Sequence, residues 1–361
     1  MKAIITAGGR GTRMRPLTFS SNKHLIPLAN KPLIHYAIET VVAAGVTQIG
    51  LNYNPGQLEE LQAALGDGSR WGAKFTYILQ EQPLGLANIV QVCQKFIGSD
   101  KFFMHLGDNI FYGGIKPLVD YFATSKAAGL LTIMHHPENT RLGVPYFDKK
   151  GNLVKYVEKP QNPPHDWAVP GLYFADPRIF DCFTKDPIQP SARGEYEIPS
   201  TFQWLIDHKY NVETMEFKGT WCDPGKFNDW LDTNRFLLDN ELTNEYLQPI
   251  GEDVKLEGRV KIGKNCHLSH STLRGPIIIG DDVQINDSFI GPYSSIGNNC
   301  QITKSKLENT ILMDEVIVAN LPSPLDSSLI GKGTTISGNQ AVPETLELFV
   351  GNQCTLKLWK S

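Results

Sequence analysis

Hydrophobic and polar positions follow two patterns between the N-terminus and residue 240. Short apolar, often β-branched runs predict buried strands, and longer stretches with apolar residues at helical spacing predict helices. Several predicted helices end at a glycine, a usual helix terminator. The predicted strands cover 3–5, 49–53, 75–79 and 101–106, and the predicted helices 35–44, 57–65 and 86–96. Such alternation favours parallel strands joined by crossover helices in an α/β sandwich.

Beyond Gly251 the pattern changes to a repeat with a period of 17 residues. Ile-Gly pairs recur at 262–263, 279–280 and 296–297, and a further apolar position keeps step at Leu273, Ile290 and Leu307. Met313 and Ile330 continue the period, Met313 as a degenerate member, which gives about five coils. Repeats of this kind predict a parallel β-helix, and they resemble the left-handed type. We expect Cys266, Val283 and Cys300 to share a core column, and residues 344–359 to form a strand or a cap.

The first candidate for chemistry is the glycine-rich stretch that follows the first predicted strand. Gly8, Gly9 and Gly11 let the backbone approach a ligand, and successive N–H groups in such a turn bind anions. Neighbouring arginines add forked hydrogen bonds that suit phosphate oxygens. The stretch is not a Walker loop, because no Gly-Lys-Ser/Thr follows at the required spacing. It is not a G-x-G-x-x-G fingerprint either, because Met14 stands in place of the third glycine. It therefore predicts a polyphosphate site, with an ordinary surface turn as the alternative.

Composition excludes several other classes of function. The chain has 361 residues, enough for two domains, and its net charge of −4 does not favour nucleic acid or an anionic membrane as a partner. Apolar runs are too short for a membrane helix, and the N-terminus has no signal-peptide pattern. The six cysteines lack zinc or C-x-x-C spacing. We therefore expect a cytoplasmic protein whose thiols are small buried groups.

Two consecutive motifs resemble the sugar nucleotidyltransferases, and in particular the longer branch of the glucose-1-phosphate thymidylyltransferases. They are G-G-x-G-T-R-x-x-P-L-T at 8–18 and K-x-L-x-P-x-x-x-K-P-L at 23–33. Asn22 stands where many members have proline. The resemblance implies a Rossmann-like nucleotidyltransferase sandwich over residues 1–240. It also implies an all-β left-handed parallel β-helix of hexapeptide-type repeats over residues 251–361.

The resemblance also assigns the nucleotide site. Gln80 and Gly85, five residues apart, would hold the base, with Gln80 chosen over Gln82 by its spacing. Arg13 and the backbone from Gly8 to Thr12 would neutralise the β- and γ-phosphates as pyrophosphate leaves. Lys23 would bridge the α-phosphate and the attacking phosphate. The nucleotide-binding set is thus Gly8, Gly9, Gly11, Thr12, Arg13, Gln80, Gly85 and Asp108, with Arg13, Lys23 and Asp108 as catalytic residues.

A metal site is expected at two aspartates. Asp108 follows an apolar strand, a usual place for a ligand of Mg²⁺, which prefers carboxylate and phosphate oxygens. Asp223 lies in a W-x-D-x-G motif of the family and would supply the second carboxylate. Either aspartate alone could instead be a cap or a turn residue.

The sugar side of the site is expected from the middle of the chain. Acceptors should bind the sugar hydroxyls, and a cation should bind the 1-phosphate. The resemblance assigns Glu158 and either Glu195 or Glu197 to the sugar hydroxyls, and Lys159 to the 1-phosphate. It assigns Gly143 and Gly171 to positions where the backbone approaches the sugar closely. The sugar-phosphate set also includes Asn109 and Trp221. Leu142 stands where the shorter branch usually has tyrosine.

The function implied is transfer from dTTP to glucose 1-phosphate by direct in-line displacement, giving dTDP-glucose and pyrophosphate. The alternatives are a UTP-using or other sugar-1-phosphate nucleotidyltransferase and a non-catalytic NDP-sugar-binding subunit. A non-catalytic subunit should have lost some of the catalytic and metal residues, but Arg13, Lys23, Asp108 and Asp223 are all present. Acyl transfer on the β-helix would need His267 or His270 as a base, and neither lies in an inserted loop. We expect a homo-oligomer in which the β-helix serves packing.

Overall fold

The computed structural model describes residues 1–9, 11–338 and 348–358, without the side chains of Phe349 and Leu358. The chain forms two compact units. Unit 1 contains Met1–Gly9 and Ile34–Cys222, and unit 2 contains Arg10–Leu33 and Asp223–Ser361. The sequence-based domain boundary between residues 240 and 251 stays a prediction.

Unit 1 is built on an eight-stranded sheet. In spatial order its strands are Trp167–Ala168, Gly129–His135, Leu172–Ala175, Phe102–Leu106, Lys2–Thr6, Gln48–Tyr53 and Lys74–Leu79, with Val212–Glu216 also paired to Gly129–His135. The strands on both sides of Lys2–Thr6 run parallel to it. Leu172–Ala175 runs antiparallel to both of its neighbours. The α/β expectation is confirmed, and the antiparallel strand is an addition that the pattern did not predict.

The three predicted helices are confirmed within a few residues, the third of them as two shorter helices, and two further helices were not predicted. Six helices thus lie in this part of the described chain. They are Leu33–Ala43, Leu58–Leu65, Leu86–Val92, Gln94–Ile97, Lys116–Thr124 and Ile198–Asp207. The apolar faces of Leu86–Val92, Gln94–Ile97 and Ile198–Asp207 join the sheet in a core that contains Ile4, Phe102 and Phe202. Three-residue 3₁₀ turns lie at Ser69–Trp71 and Asn139–Arg141, and a longer one at Pro177–Phe183. The unit also contains two antiparallel strand pairs, the hairpin of Gly143–Phe147 with Leu153–Glu158 and the long-range pair of Ile110–Tyr112 with Thr220–Cys222.

Unit 2 contains three stacks of short parallel strands, the left-handed β-helix. The first stack is Glu245–Tyr246, Val260–Ile262, Ile277–Ile279, Ser294–Ile296, Ile311–Leu312, Leu329–Ile330 and Phe349–Val350. The second is Lys255–Glu257, Thr272–Arg274, Phe289–Ile290, Lys306–Glu308 and Leu325–Asp326. The third is His267–Ser269, Gln284–Asn286, Gln301–Thr303, Ile317–Ala319, Thr335–Gly338 and Thr355–Leu358. Like residues form buried columns, as the repeat predicted.

One register prediction is wrong. Leu312, rather than Met313, pairs with Ile296 and continues the isoleucine column to Ile330. The coil after Ile296 is therefore one residue shorter than the period and the next coil one residue longer. For the tail, a strand or a cap was expected, and the structure has strands at Phe349–Val350 and Thr355–Leu358. Residues 344–347 and 359 of that expectation lie outside the described residues.

Unit 2 also contains the segment from residue 11 to Leu33 and the helix Phe227–Glu241. The segment consists of 3₁₀ turns at Thr12–Met14, Leu17–Phe19 and Lys23–Leu25, followed by the small hairpin of Pro27–Leu28 with Lys31–Pro32. The Nε1 of Trp230 in the helix donates to the Pro27 carbonyl at 3.1 Å. This hydrogen bond joins the segment to the helix.

Candidate active site

The predicted base-binding residue of unit 1 lies in a network of buried amides. Gln80 is 3% exposed. Its Nε2 donates to Asn88 Oδ1 at 2.9 Å and to the Gly85 carbonyl at 3.3 Å, and its Oε1 accepts from Asn52 Nδ2 at 3.4 Å. Asn52 Oδ1 in turn accepts from the backbone N–H of Ala7 at 3.2 Å. These contacts fix the orientation of the Gln80 amide and link it to the start of the glycine-rich stretch.

Two predicted glycines of this region, Gly85 and Gly8, have a structural reason to be glycine. Gly85 has φ of 102°, and a Cβ there would lie 2.6 Å from the Tyr196 carbonyl oxygen. Gly8 is contacted by Asn54, whose Nδ2 donates to the Gly8 carbonyl and whose Oδ1 is buried without a hydrogen bond among the described residues. Gly9 follows Gly8 as the last residue of this part of unit 1. The backbone in this region is thus held by close polar contacts.

Asp108 is positioned at the carboxyl end of the strand Phe102–Leu106. Its Oδ1 accepts from Asn109 Nδ2 at 3.3 Å, and Asn109 Oδ1 accepts from Trp221 Nε1 at 3.1 Å. A Cβ on Gly171, whose φ is 70°, would collide with Asn109 Oδ1. The predicted residues Asp108, Asn109, Gly171 and Trp221 therefore lie together.

A buried histidine and a half-buried histidine flank this group. His105 is fully buried, and its burial lowers the pKa of the imidazole to about 4. Its Nδ1 lies 2.8 Å from the Leu106 carbonyl, so the neutral ring carries its proton there. His136 packs edge-on against Trp221, with ring centroids 5.6 Å apart, and burial lowers its pKa as well. Burial thus favours the neutral form of both rings.

The predicted sugar residues meet around Glu158. Lys159 Nζ lies 3.1 Å from Glu158 Oε1, and Lys159 has φ of 46°. Glu197 Oε1 accepts from Arg193 at 2.7 Å and from Ser191 Oγ at 2.9 Å, and Arg193 lies 4.0 Å from Glu158. Glu195 is exposed. Of the two glutamates left open by the sequence, Glu197 is the one that hydrogen-bonds Arg193, which also faces Glu158.

Gly143 begins the strand that pairs with the strand of Glu158, and Gly143 and Glu158 are register partners. A Cβ on Gly143 would lie 2.6 Å from the Tyr156 ring. The hydroxyl of Tyr156 is buried without a hydrogen bond among the described residues. Burial raises the pKa of Tyr156 well above its ordinary value, so this hydroxyl stays protonated.

Unit 2 contains Gly11, Thr12, Arg13 and Lys23 of the predicted phosphate site. Gly11 has φ of 57°, and a Cβ there would lie 2.8 Å from Thr18 Cγ2 and 3.0 Å from Lys23 Cβ. Lys23 is only 4% exposed. The Thr18 hydroxyl donates to the Gly11 carbonyl at 2.7 Å, which fixes the turn. Thr12, next to Gly11, is exposed.

Arg13 lies against the second aspartate motif. A Cβ on Gly225 would be 3.1 Å from a terminal nitrogen of the Arg13 guanidinium. The Gly225 N–H donates to the Asp223 carbonyl at 2.6 Å, so Asp223 and Gly225 form a tight turn beside the arginine. The predicted residues Gly11, Arg13, Lys23 and Asp223 are thus parts of one unit, although Asp223 is far from the other three in the sequence.

Several functional candidates were not found from the sequence. Asn52, Asn54 and Asn88 orient the predicted nucleotide residues, and Arg193 pairs with the sugar-site carboxylates. Asn52 and Asn54 lie at the carboxyl end of a predicted strand, which is where such sheets bind ligands, so this placement was an available signal. Arg193 had no comparable signal, because it lies in a loop.

The candidate metal ligands are the two predicted aspartates, Asp108 and Asp223. Among the residues that the structure describes, no group of three or more His, Cys, Asp or Glu side chains is arranged to hold a metal ion. Asp108 and Asp223 offer hard carboxylate oxygens, which is the chemistry that a divalent cation requires when phosphates provide its other ligands. The donor type therefore fits.

The fold defines a class, the α/β proteins in which candidate site residues follow the carboxyl ends of parallel strands, where such sheets bind ligands. Within that class, the chain belongs to the nucleotidyl transferase family, whose family model matches residues 2–240. It is an enzyme of the sugar-1-phosphate nucleotidyltransferase type. Members of this family generally use a divalent metal.

Relatives match over nearly the full chain. A glucose-1-phosphate thymidylyltransferase of Streptomyces antibioticus is 36% identical over 359 residues, 99% of both chains. The low-salt glycan biosynthesis nucleotidyltransferase Agl11 of Haloferax volcanii is 34% identical over 99% of this chain and 100% of its own. A solved structure described as a glucose-1-phosphate thymidylyltransferase of Bacillus anthracis with a sucrose is 31% identical. Its TM-score is 0.61, and the match covers 68% of this chain and 98% of that chain.

A second solved structure, a UDP-glucose pyrophosphorylase with UDP-glucose, has a TM-score of 0.59 at 23% identity and shows the shared fold alone. No helix among the described residues is long and apolar enough to cross a membrane.

Proposed function

We propose that this protein transfers a thymidylyl group from dTTP to glucose 1-phosphate, giving dTDP-glucose and pyrophosphate. The observation that carries the proposal is the similarity over 99% of the chain to a thymidylyltransferase, which includes the β-helix as well as the part matched by the family model. We keep the two-domain division proposed from the sequence, with a catalytic domain at 1–240 and a β-helix at 251–361.

The base is assigned to Gln80 and Gly85. A thymine or uracil ring presents an N–H donor between two carbonyl acceptors. The Gln80 Oε1 has a second lone pair for the N–H, since a carbonyl oxygen can accept two hydrogen bonds. The Gly85 backbone can approach a base carbonyl closely because it has no side chain. The edge used here is common to thymine and uracil, which is why UTP remains the competing substrate.

The phosphates are assigned to unit 2. Arg13 and the backbone up to Thr12 bind the β- and γ-phosphates, and their positive charge stabilises pyrophosphate as it leaves. Lys23 is buried, so its charge acts in a medium of low polarity and is less screened than a surface lysine. It bridges the α-phosphate and the attacking oxygen.

The sugar phosphate is assigned to Lys159 and Arg193, with Glu158 and Glu197 accepting from sugar hydroxyls. A sugar phosphate is already an anionic nucleophile, so no general base is needed. The residues must instead bring two anions together in line. The pairing of Lys159 and Arg193 with carboxylates keeps both cations in place before the substrate arrives. Asn109, Trp221, Gly143 and Gly171 shape the pocket around the sugar.

Asp108 and Asp223 are the proposed ligands of Mg²⁺. When bound, such an ion polarises the α-phosphate. We expect Asp108→Asn to lower kcat by several orders of magnitude without lowering the melting temperature, because the amide keeps the size of the side chain and loses its charge. Asp120→Asn, at an exposed ion pair with Lys116, is the matched control. A near-normal rate in Asp108→Asn would contradict the metal assignment.

The test of the reaction is pyrophosphate release from a panel of dTTP, UTP, CTP, ATP and GTP crossed with several sugar 1-phosphates. We expect the highest kcat/KM for dTTP with glucose 1-phosphate. If UTP or another pair ranked far above it, the specific function would be wrong while the reaction class stood. If no pair released pyrophosphate but NDP-sugar bound, the non-catalytic alternative would hold.

We also propose a cytoplasmic homo-oligomer. The net charge of −4 and the reduced state of the described cysteines suit that setting. Light scattering on the purified chain would determine the number of subunits.

A further inference from the structure

The segment that carries Arg13 and Lys23 has little regular structure of its own. Between these residues it consists of 3₁₀ turns, and short 3₁₀ turns make few backbone hydrogen bonds. Met14 and Leu17 are buried and hold one side of it. The precise position of the two cations therefore depends on what holds the other side.

The last described coil of the β-helix makes that contact. Between its strands lie Gly351 and Asn352, on the chain after Phe349–Val350. A Cβ on Gly351 would lie 3.3 Å from Pro16 Cβ. Asn352 Nδ2 donates to Ser21 Oγ at 3.0 Å. Both contacts fall between Arg13 and Lys23.

Asn352 occupies a repeated position of the β-helix but has an additional partner. At this position Asp281, Asn298, Asp314 and Asn352 each accept a backbone N–H from the preceding coil, at 2.8 to 3.0 Å. Two of the four are aspartates, which can accept but cannot donate when ionised. Asn352 can accept through its Oδ1 and donate through its Nδ2, and the Nδ2 reaches Ser21 in the segment of Arg13 and Lys23.

The same segment is attached to the β-helix at its other end. The Asn30 Nδ2 donates to the Ile296 carbonyl at 2.6 Å. The fully buried Asn234 accepts from the Ala29 N–H at 2.8 Å and donates to the Tyr293 carbonyl at 3.1 Å. The segment is thus fixed to two coils of the β-helix, one on each side of Lys23.

We propose that the last coil of the β-helix holds the segment of Arg13 and Lys23 in its reactive position, with Ser21 and Asn352 as positioning residues for nucleotidyl transfer. The β-helix then takes part in catalysis without contacting substrate. Groups that are fixed before the charge develops stabilise a transition state more than groups that must first be ordered. The kinetic consequence rests on the proposed function, whereas the structural consequence does not.

The kinetic test uses two matched pairs of variants in the full chain. Ser21→Ala removes the acceptor of Asn352, and Ser20→Ala changes the exposed neighbouring serine. Asn352→Ala removes both the coil contact and the link, and Asn298→Ala removes only a coil contact of the same type. We expect Ser21→Ala and Asn352→Ala to lower kcat/KM for dTTP by about three- to tenfold relative to their controls, since one net hydrogen bond corresponds to about that factor. The KM for glucose 1-phosphate should change less than that for dTTP, because all of its proposed ligands except Lys23 lie in unit 1.

The structural test is hydrogen exchange of the backbone amides of residues 14–22, measured without substrate. Ser21→Ala and Asn352→Ala should speed exchange there by a similar factor, while Ser20→Ala and Asn298→Ala leave it at the wild-type rate. Equal exchange and equal kcat/KM in variants and controls would overturn the proposal. If the wild type did not use dTTP but the exchange difference remained, the holding contact would stand and the proposed function would fail.

Discussion

At the scale of single residues, amide side chains orient the predicted site residues: Asn52 and Asn88 contact Gln80, and Asn109 contacts Asp108. Gln80, Asp108, Arg13 and Lys23 belong to motifs whose spacing is visible in the chain. Asn88 is visible only in the structure, because it contacts Gln80 through the turn of a helix. The positions of amide side chains that orient a site residue follow no fixed spacing in the sequence, since any nearby part of the backbone can supply them.

Gly171 offers a test of the group around Asp108. Gly171→Ala would force a side chain into a position with φ of 70° and against Asn109 Oδ1 and Leu106 Cδ1, the latter at 2.7 Å. Asn109 must then move and release Trp221. We expect kcat/KM to fall by roughly tenfold or more, measured by pyrophosphate release, because small displacements of positioning groups are costly. Gly151→Ala is the control, because Gly151 has φ of 84° and nothing within 4 Å of its Cβ position; an equal loss there would mean that only backbone strain matters.

His105 predicts a pH dependence of stability. Its pKa is about 4 in the folded protein against an ordinary value of 6.5. The unfolded chain therefore binds a proton below pH 6.5 that the folded chain does not bind until about pH 4. Stability from this residue is complete above pH 6.5 and falls as the pH drops towards 4, by about 2 kcal/mol between pH 7 and pH 5.

The measurement is urea unfolding of wild type and His105→Gln at both pH values. The variant should lose less free energy of unfolding than the wild type on acidification. Parallel losses in the two proteins would show that other groups control the acid sensitivity.

At the scale of elements, hydrophobic patterning predicted the strands and helices well where their burial is regular. The β-helix columns followed from the repeat period, yet the shift from Met313 to Leu312 did not. A fixed period cannot reveal a coil that is one residue short, because Leu312 and Met313 are both apolar. The antiparallel strand Leu172–Ala175 was also hidden, since strand direction leaves no trace in composition.

Adjacent isoleucines in one strand test the core of the β-helix. Ile279 is 1% exposed and lies in the isoleucine column, while Ile278 points outward and is half-buried. We expect Ile279→Ala to cost about 2–5 kcal/mol of unfolding free energy and Ile278→Ala much less, because only the first leaves a cavity. Denaturant titration followed by circular dichroism would measure both. Equal costs would mean that the coil relaxes around the gap.

At the scale of the whole molecule, the order of residues in the chain does not follow the two units. The chain passes from unit 1 to unit 2 after Gly9, returns after Leu33, and passes again after Cys222. A sequence pattern that changes at residue 251 indicates only the last element of unit 2. The earlier segment could not be assigned from the sequence, because its partners lie in the C-terminal part of the chain and no local pattern connects them.

This arrangement predicts that transferase activity depends on the stability of the β-helix. When unit 2 unfolds, Arg13 and Lys23 lose the contacts that hold their segment. In Ile279→Ala, the temperature of half-inactivation should therefore fall by as many degrees as the melting temperature of the β-helix strands. Ile278→Ala should leave both near the wild-type values. Activity that outlasted the melting of these strands would contradict the dependence.

The hydrogen bond between Asn352 and Ser21 also constrains how this protein could be recombined with its relatives. A chimera that exchanges the chain only after residue 240 would join a foreign β-helix to the native segment of residues 11–33. It could lose the contacts of Ser21, Pro16 and Asn30 with the β-helix at the same time. Exchanging residues 10–33 together with residues 223–361 would keep those contacts as one inherited block. The natural crossover points are therefore Gly9, Leu33 and Cys222, and a library cut there should yield more active hybrids than one cut at the visible change in sequence pattern.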